Sequence, residues 1–254
     1  MPTQRFDLTG RVALVTGGTR GLGRSIAQGF AEVGARVAVN GRKPDACQAA
    51  AEEIARETGA ETLAAPGHLG SWDELPGLID TVVRRFGRID VLVNNAGINP
   101  QPMPVRELTE AYFDKLYAVN VKGPMRLAAL AADQMARTGG GSIINVITVG
   151  AYIGGPGMAA YTSGKAALRN LTKVMAQEWA SLGIRVNALA PGSFMTDMMR
   201  GASQLPGFLD GAANLSFQRR IADPDEIIGA ALFLASDAGS FTTGTVVSVT
   251  GGVS

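Results

Sequence analysis

The sequence predicts an α/β fold, a doubly wound parallel β-sheet of about seven strands with helices on both faces. Short runs rich in β-branched residues alternate with longer amphipathic stretches along all 254 residues. Several of these runs are apolar at successive positions, as expected of parallel strands that are covered on both faces. A hydrophobic content of 46% and 33 glycines fit one compact domain with many tight turns.

The elements follow one another without a linker. The predicted strands are residues 12–15, 36–39, 62–65, 91–93, 142–147, 185–189 and 246–249. The predicted helices are about 21–33, 44–57, 71–86, 109–119, 124–137, 159–181 and 224–236. This alternation favours right-handed βαβ crossovers, and ligands of such sheets bind beyond the carboxyl ends of the strands. We therefore expect a single domain over residues 1–254.

The least regular part, residues 193–220, follows the sixth predicted strand. It carries several methionine and large apolar residues: Phe194, Met195, Met198, Met199, Leu205, Phe208 and Leu209. A loop of this composition is typical of a lid over an apolar substrate, although subunit packing selects similar residues. We predict a substrate lid.

Charge and cysteine content exclude several classes of function. The 23 basic and 22 acidic residues are spread along the chain, which gives no charged surface for a nucleic acid or a membrane. A small-molecule partner is therefore expected. The one cysteine, Cys47, cannot form an internal disulfide, and no apolar leader or membrane span is apparent, so we expect a cytoplasmic protein. With His68 as the single histidine, we expect no catalytic metal.

A glycine-rich turn, Thr16-Gly-Gly-Thr-Arg-Gly-Leu-Gly23, lies between the first strand and the first helix. Glycines let the backbone approach a pyrophosphate, and the free N–H groups and dipole of a helix start favour an anion. The alternative is a tight turn without a ligand. The predicted cofactor-binding residues here are Gly17, Thr19, Arg20, Gly21, Leu22 and Gly23.

The spacing Gly-x-x-x-Gly-x-Gly resembles that of short-chain dehydrogenases/reductases. Three further motifs occur in that family's order along essentially the whole chain: Asn94-Asn-Ala-Gly97, Tyr161-Thr-Ser-Gly-Lys165 and Pro191-Gly192. The resemblance, closest in type to ketoacyl reductases, implies a Rossmann-type fold and a nicotinamide cofactor. It also implies an oxidoreductase that moves a hydride between the nicotinamide and a carbonyl or alcohol carbon.

The end of the second strand, Asn40-Gly41-Arg42, indicates which nicotinamide is bound. Relatives that prefer NAD carry an aspartate where this chain has Gly41. Arg42 offers a planar fork that suits a 2′-phosphate, and Arg20 can approach the same group. We predict NADP(H), with solvated surface arginines as the alternative. After the third strand, His68 replaces a frequent aspartate and is a candidate adenine neighbour, with the backbone of Leu69 beside it.

Tyr161 and Lys165 are four residues apart in a helical stretch, which places both side chains on one face. A free tyrosine has a pKa of about 10, and a lysine ammonium can stabilise the phenolate for proton exchange. By resemblance, Lys165 also binds the nicotinamide ribose, and Tyr161 and Lys165 are both predicted to contact the cofactor. The family's usual serine is Thr148 here, which keeps the hydroxyl but adds a methyl group.

The remaining site residues follow from the resemblance alone. It implies that the backbone of Asn120 helps to hold a water in line with the lysine, which completes a proton relay. Asn94 and Asn95 fix the strand end and support the cofactor, and Ala96 and Gly97 allow its close approach. The nicotinamide carboxamide is contacted by Pro191, Gly192, Phe194 and Thr196.

Two alternatives to an NADP-dependent reductase stay open. One is an NADP-binding sensor or scaffold with negligible turnover, and the other is an NAD-using sugar or alcohol dehydrogenase. The substrate loops, about 99–106, 150–157 and 193–220, are mostly apolar, which indicates a partly apolar substrate. By resemblance of the last strand to that of tetrameric relatives, we expect a homotetramer or a dimer.

Overall fold

Seven strands form a single sheet in the computed structural model, which describes residues 2–99, 102–202 and 207–252. They are β1 (Val12–Val15), β2 (Arg36–Gly41), β3 (Thr62–Pro66), β4 (Val91–Asn94), β5 (Gly141–Val146), β6 (Ile184–Pro191) and β7 (Val246–Val249). Their order is β3-β2-β1-β4-β5-β6-β7, and all neighbours are parallel. The predicted doubly wound, Rossmann-type sheet is confirmed.

Ten α-helices lie within these described ranges. They are α1 (Gly21–Glu32), α2 (Pro44–Thr58), α3 (Leu75–Phe86), α4 (Glu110–Tyr117), α5 (Gly123–Arg137), α6 (Gly150–Ile153), α7 (Ala159–Trp179), α8 (Asp197–Ala202), α9 (Phe208–Asn214) and α10 (Ile228–Ala235). The sequence did not predict α6, α8 or α9, which are too short to show a helical period. The predicted lid thus contains two short helices, and its residues 203–206, with residues 100–101 of the first substrate loop, lie outside the described residues.

Alternate residues of the strands supply two apolar layers. In β1, Ala13 and Val15 face a layer that includes side chains of α1, α2 and α10. Val12 and Leu14 face the opposite layer, which includes side chains of α3, α5 and α7. All four β1 residues are inaccessible to solvent, which is why the strand is apolar at every position.

A π-helical turn, Ala118–Lys122, joins α4 to α5. The Gly123 N–H donates to the carbonyl of Ala118, five residues back. Pro124 has no N–H, so the carbonyl of Asn120 lacks the donor that a regular α-helix would give it. The turn therefore interrupts the helical ladder at a predicted site residue.

Among the residues that the structure describes, no helix combines the length and the apolar character of a membrane span.

Candidate active site

The predicted site residues gather at the carboxyl edge of the sheet. The strand order reverses direction between β1 and β4, which is the point where ligands of such sheets bind. The glycine turn follows β1, and the segment that contains Asn95, Ala96 and Gly97 follows β4. The sheet therefore brings together motifs that are about 80 residues apart in the chain.

Hydrogen bonds join the glycine turn to the end of β4. Thr16 Oγ1 accepts from the backbone N–H groups of Asn95 (3.0 Å) and Ala96 (3.1 Å). Asn95 Nδ2 donates in return to the carbonyls of Thr16 (2.9 Å) and Gly17 (3.2 Å). Gly17 has a φ of +62°, and a Cβ there would lie 2.9 Å from the Cα of Ala96. Only glycine fits this position, and Asn95 supports the turn.

The start of α1 is open for an anion. The helix begins at Gly21, its N-cap residue Arg20 makes no side-chain capping bond, and its first turn holds no acidic residue. Uncapped N–H groups and the positive end of the dipole favour a phosphate. Leu22 packs against the adjacent core layer, so its contribution here is its backbone.

The end of β2 leaves no room for a side chain at Gly41. A Cβ there would lie 2.8 Å from Thr19 Cγ2 and 3.1 Å from the sulfur of buried Cys47. The neighbouring Asn40 is 1% exposed, and its amide donates to the carbonyls of Ala65 and Gly67. Asn40 therefore ties β2 to β3, and its side chain does not face the cleft.

The two arginines of the predicted 2′-phosphate site differ in their partners. Arg42 is exposed and has no hydrogen bond or ion pair with the described part of the chain. Arg20 Nη1 lies 3.6 Å from Oδ2 of Asp197 in the lid, and both side chains are more than half exposed. Asp197 also pairs with Arg200 at 3.3 Å. No sequence pattern indicated that an acidic lid residue would approach Arg20.

His68 lies at the carboxyl end of β3, with its ring orientation fixed. Its Nδ1 accepts the backbone N–H of Gly70 at 3.1 Å, so the neutral imidazole carries its proton on Nε2. A ring in this state presents a donor to a ligand, whereas the aspartate usual in relatives presents an acceptor. Leu69 is 4% exposed, which leaves its backbone as the only group for a ligand.

Asn94 is fully buried, unlike the residues that follow it. Its Nδ2 donates to Asn145 Oδ1 (2.9 Å) and to the carbonyl of Pro124 (3.2 Å). Asn145 Nδ2 donates in turn to Thr172 Oγ1 on α7 at 3.0 Å. Asn94 was predicted among the cofactor residues, but its side chain supports the sheet from inside. The sequence signal for Asn145, a polar residue in an otherwise apolar strand, was missed.

Lys165 is buried on α7 beneath the segment after β4. Its side chain is 3% exposed, and Nζ donates to the carbonyl of Val146 at 2.7 Å. A Cβ on Gly97 would lie 3.4 Å from Nζ of Lys165 and 3.2 Å from Oδ1 of Asn120. Burial lowers the pKa of Lys165 to about 8, because the ammonium is kept from water. Lys165, Asn120 and Gly97 thus form one cluster.

Tyr161 lies one helical turn before Lys165 and is partly buried. Burial raises the pKa of its phenol above the ordinary value of 10.0. Tyr161 therefore holds its proton in this state of the protein. Lys165 has a pKa of about 8 and is still mostly charged at pH 7, so the expected stabilisation of the phenolate by its ammonium stays a prediction.

Thr148 follows β5 and has one side of its hydroxyl engaged. The backbone N–H of Gly150 donates to Thr148 Oγ1 at 3.3 Å, which leaves the hydroxyl proton for another acceptor. A Cβ on Gly150 would lie 3.4 Å from the methyl carbon of Thr148, so any side chain at position 150 would contact Thr148 at the start of α6.

Asn120 fixes the strand-end segment through its side chain. Nδ2 donates to the carbonyl of Ile98 (2.8 Å), and Oδ1 accepts from the N–H of the same residue (2.9 Å). With both groups of the amide used, only the Asn120 backbone is left for the predicted water. Its carbonyl lies in the π-helical turn, where Pro124 supplies no donor.

The segment after β6 runs beside Thr148 and over the glycine turn. The carbonyl of Pro191 accepts from Val149 N at 3.4 Å, and Gly192 N donates to the carbonyl of Val249 at 2.9 Å. A Cβ on Gly21 would lie 3.5 Å from Thr196 Cγ2, so Thr196 lies beside Gly21 at the start of α1. Phe194 is 3% exposed and forms a bridge with Ala222, so its side chain belongs to the core.

Comparisons with known proteins agree with this geometry. A family model described as enoyl-(acyl carrier protein) reductase matches residues 17–254. Gluconate 5-dehydrogenase of Gluconobacter oxydans (strain 621H) is 36% identical over 248 residues, 98% of this chain and 96% of that protein. The 3-oxoacyl-(acyl-carrier-protein) reductase FabG of Staphylococcus epidermidis is 40% identical over 243 residues, 95% of this chain and 98% of that protein.

A solved structure has the same fold throughout. The crystal structure of a gluconate 5-dehydrogenase from Burkholderia cenocepacia J2315, in complex with NADP and tartrate, has a TM-score of 0.93 and 37% identity. The match covers 98% of this chain and 96% of that chain.

Proposed function

Since this chain belongs to the short-chain dehydrogenase/reductase family of oxidoreductases, we propose that it is an NADP(H)-dependent enzyme that interconverts a carbonyl and a secondary alcohol, with Tyr161 as the general acid and base. The observation that carries the proposal is the cluster on α7. Lys165 is buried one helical turn from Tyr161, bound to the carbonyl of Val146 and covered by Gly97. A buried lysine that only a glycine separates from the end of the sheet is suited to act on a ligand rather than to stabilise the core.

The residues present fit a dinucleotide. The open start of α1 with Gly17, Gly21 and Gly23 would hold the pyrophosphate, with Thr19 beside the ribose. At the adenine end the groups are His68 and the backbone of Leu69. At the nicotinamide end they are Ala96, Gly97, Pro191, Gly192, Thr196 and the backbones of Asn94 and Phe194. When bound, NADPH supplies the hydride, and one proton from the protein completes the alcohol.

Tyr161 would provide that proton. Burial raises the pKa of its phenol, so the group is protonated at neutral pH and ready to donate to a developing alkoxide. Thr148 would hold the same substrate oxygen with its free hydroxyl proton, since its Oγ1 already accepts from Gly150. In the oxidative direction, the Lys165 ammonium would stabilise the phenolate that accepts the proton of the alcohol.

Asn120 would link this site to solvent. Its side chain holds Ile98 on both backbone groups, which fixes the strand-end segment that covers Lys165. Its carbonyl has lost its usual helical donor at Pro124 and would accept a water beside the lysine. Protons lost by Tyr161 would be replaced along this route.

The preference for NADP(H) over NAD(H) rests on the end of β2. An aspartate at Gly41 would displace Thr19 and Cys47, so the usual ligand of a free ribose hydroxyl does not fit here. Arg42 is exposed without a partner among the described residues, and would bind the 2′-phosphate with its planar fork. Arg20 would join it after release from Asp197. We also propose a cytoplasmic homotetramer or dimer.

Steady-state reduction with NADPH and with NADH, over a panel of ketones, diketones, ketoacyl thioesters and keto-sugars, tests the proposal. We expect turnover of at least one class with a higher kcat/KM for NADPH. Binding of both cofactors without reduction or alcohol oxidation would instead support a sensor or scaffold. A higher kcat/KM for NADH would refute the role of Arg42.

A further inference from the structure

The loops around the candidate substrate site are joined to each other beside Tyr161. Met103 N donates to the carbonyl of Gly157 at 2.9 Å, and Asn99 Nδ2 lies 4.0 Å from Met158 Sδ. Met158 is the N-cap residue of α7, three residues before Tyr161. The described residues of the first two loops therefore form one wall next to the phenol.

This wall brings almost no charge to the site. Residues 99–106 and 150–157 contain a single charged residue, Arg106. Its side chain is 86% exposed and lies 3.5 Å from the carboxylate of Glu107. A substrate beside Tyr161 therefore finds no cation in either loop.

Of the nearby arginines on other elements, Arg200, Arg220 and Arg169 have partners. In the lid, Arg200 pairs with Asp197, and Arg220 makes two bonds of 2.6 Å to Glu226. Arg169 lies over the ring of Tyr152 at 4.4 Å. It is eight residues after Tyr161 on α7, roughly 12 Å along the helix axis. Arg219 is exposed, next to residues that bind Gly251 at the β7 edge of the sheet.

Apolar surface is exposed beside these loops, with the guanidinium of Arg169 over one ring, that of Tyr152. Ile153 is 61% and Tyr152 is 52% exposed on α6, which begins two residues after Thr148, and Met158 is partly exposed at the start of α7. Accessible apolar side chains around a few polar groups are typical of sites for apolar ligands.

We infer that the substrate is an uncharged ketone, or the matching secondary alcohol, with a hydrocarbon flank that packs on this wall, rather than a sugar acid or a phosphate ester. Taking a carboxylate or phosphate out of water without a cationic partner is costly. The inference rests on the proposed function, and it separates this chain from the relative named gluconate 5-dehydrogenase.

The first test compares a keto acid with its uncharged methyl ester and with a second, polyhydroxylated keto acid. We would measure NADPH-dependent reduction of 4-oxocyclohexanecarboxylate and of its methyl ester by the full-length protein, with 5-ketogluconate as the polyol acid. We expect kcat/KM for the ester to exceed both acids by at least about 100-fold. Equal or better reduction of either acid would overturn the inference and leave the proposed function standing. Failure to reduce any ketone with either cofactor would overturn both.

The second test places a charge in the wall. Met158→Lys should raise the acid-to-ester ratio of kcat/KM by at least about tenfold, since a new cation would lie beside the substrate carboxylate. Met158→Gln is the matched neutral control and should leave the ratio within about twofold of the wild type. An unchanged ratio in the lysine variant, with the cofactor KM preserved, would show that this wall does not contact the substrate and would overturn the inference.

Discussion

Replacement of Lys165 by methionine should stabilise the protein at neutral pH while abolishing its activity. Lys165 is 3% exposed, and burial lowers its pKa from 10.5 to about 8. A lysine with that shift costs the folded state roughly 3 kcal/mol at pH 7. Methionine has a similar length and no charge, so this cost disappears.

An opposing effect comes from the carbonyl of Val146. It accepts from Lys165 Nζ at 2.7 Å and would lose its donor in the variant. A buried acceptor left without a partner costs about 1–3 kcal/mol. The expected net gain at pH 7 is therefore about 0–2 kcal/mol.

The pH dependence separates the two effects. Between the folded pKa of about 8 and the unfolded value of 10.5, the unfolded chain binds more protons at this site than the folded protein. The free energy of unfolding of the wild type therefore rises with pH across this window, relative to the variant. By pH 10 about 2.5 kcal/mol of the cost should be recovered, so the advantage of methionine should shrink or reverse.

Urea unfolding of both proteins at pH 7 and pH 10 measures this change. Lys173→Met is the matched control, because Lys173 is exposed on the same helix and its replacement should have the same effect at both pH values. If the difference between wild type and Lys165→Met agrees at pH 7 and pH 10 to within about 0.5 kcal/mol, burial of the ammonium carries no cost and the reasoning fails.

Three substitutions probe the rest of the site. Thr148→Ser should keep kcat within about tenfold of the wild type, and Thr148→Val should lower it by about 100-fold, because only serine retains the hydroxyl. Equal steady-state rates in the two variants would exclude the Thr148 hydroxyl from the reaction. Arg42→Asp should lower the ratio of kcat/KM for NADPH over NADH by at least about tenfold, and an unchanged ratio would remove Arg42 from the cofactor site. Asp197→Asn should lower the dissociation constant of NADPH by a few-fold and leave that of NADH unchanged, because it frees Arg20. Titration of nicotinamide fluorescence measures both constants, and equal effects on the two cofactors would exclude competition for Arg20.

The sheet was predictable because burial on two faces marks its strands directly. The limits of β1 and β7 agree with the prediction, since each is a β-branched run bounded by glycine and polar residues. The π-helical turn was not predicted, because the sequence shows two amphipathic stretches, about 109–119 and 124–137, and no pattern that fixes the backbone between them. The effect of the π-helical turn on the site depends on which backbone carbonyl loses its hydrogen-bond donor, and only the backbone coordinates show this.

The sequence predicted which residues belong to the candidate site better than it predicted what each side chain contacts. Spacing along α7 places Tyr161 and Lys165 on one face without knowledge of the fold. The inward orientation of Asn94 and its bond to Asn145 depend on the pairing of β4 with β5, which no local pattern carries. The approach of Asp197 to Arg20 likewise depends on how the lid packs on the glycine turn.

The most direct test of the account is the turnover of Tyr161→Phe at saturating NADPH with a ketone that the wild type reduces. Tyr117→Phe is the control, because Tyr117 is only partly buried and its hydroxyl bonds to Ser163 outside the cluster. The account predicts a loss in kcat of at least about 100-fold in Tyr161→Phe, with NADPH still bound to saturation and a control close to the wild type. Full turnover in Tyr161→Phe would contradict the assignment of the phenol as the proton donor.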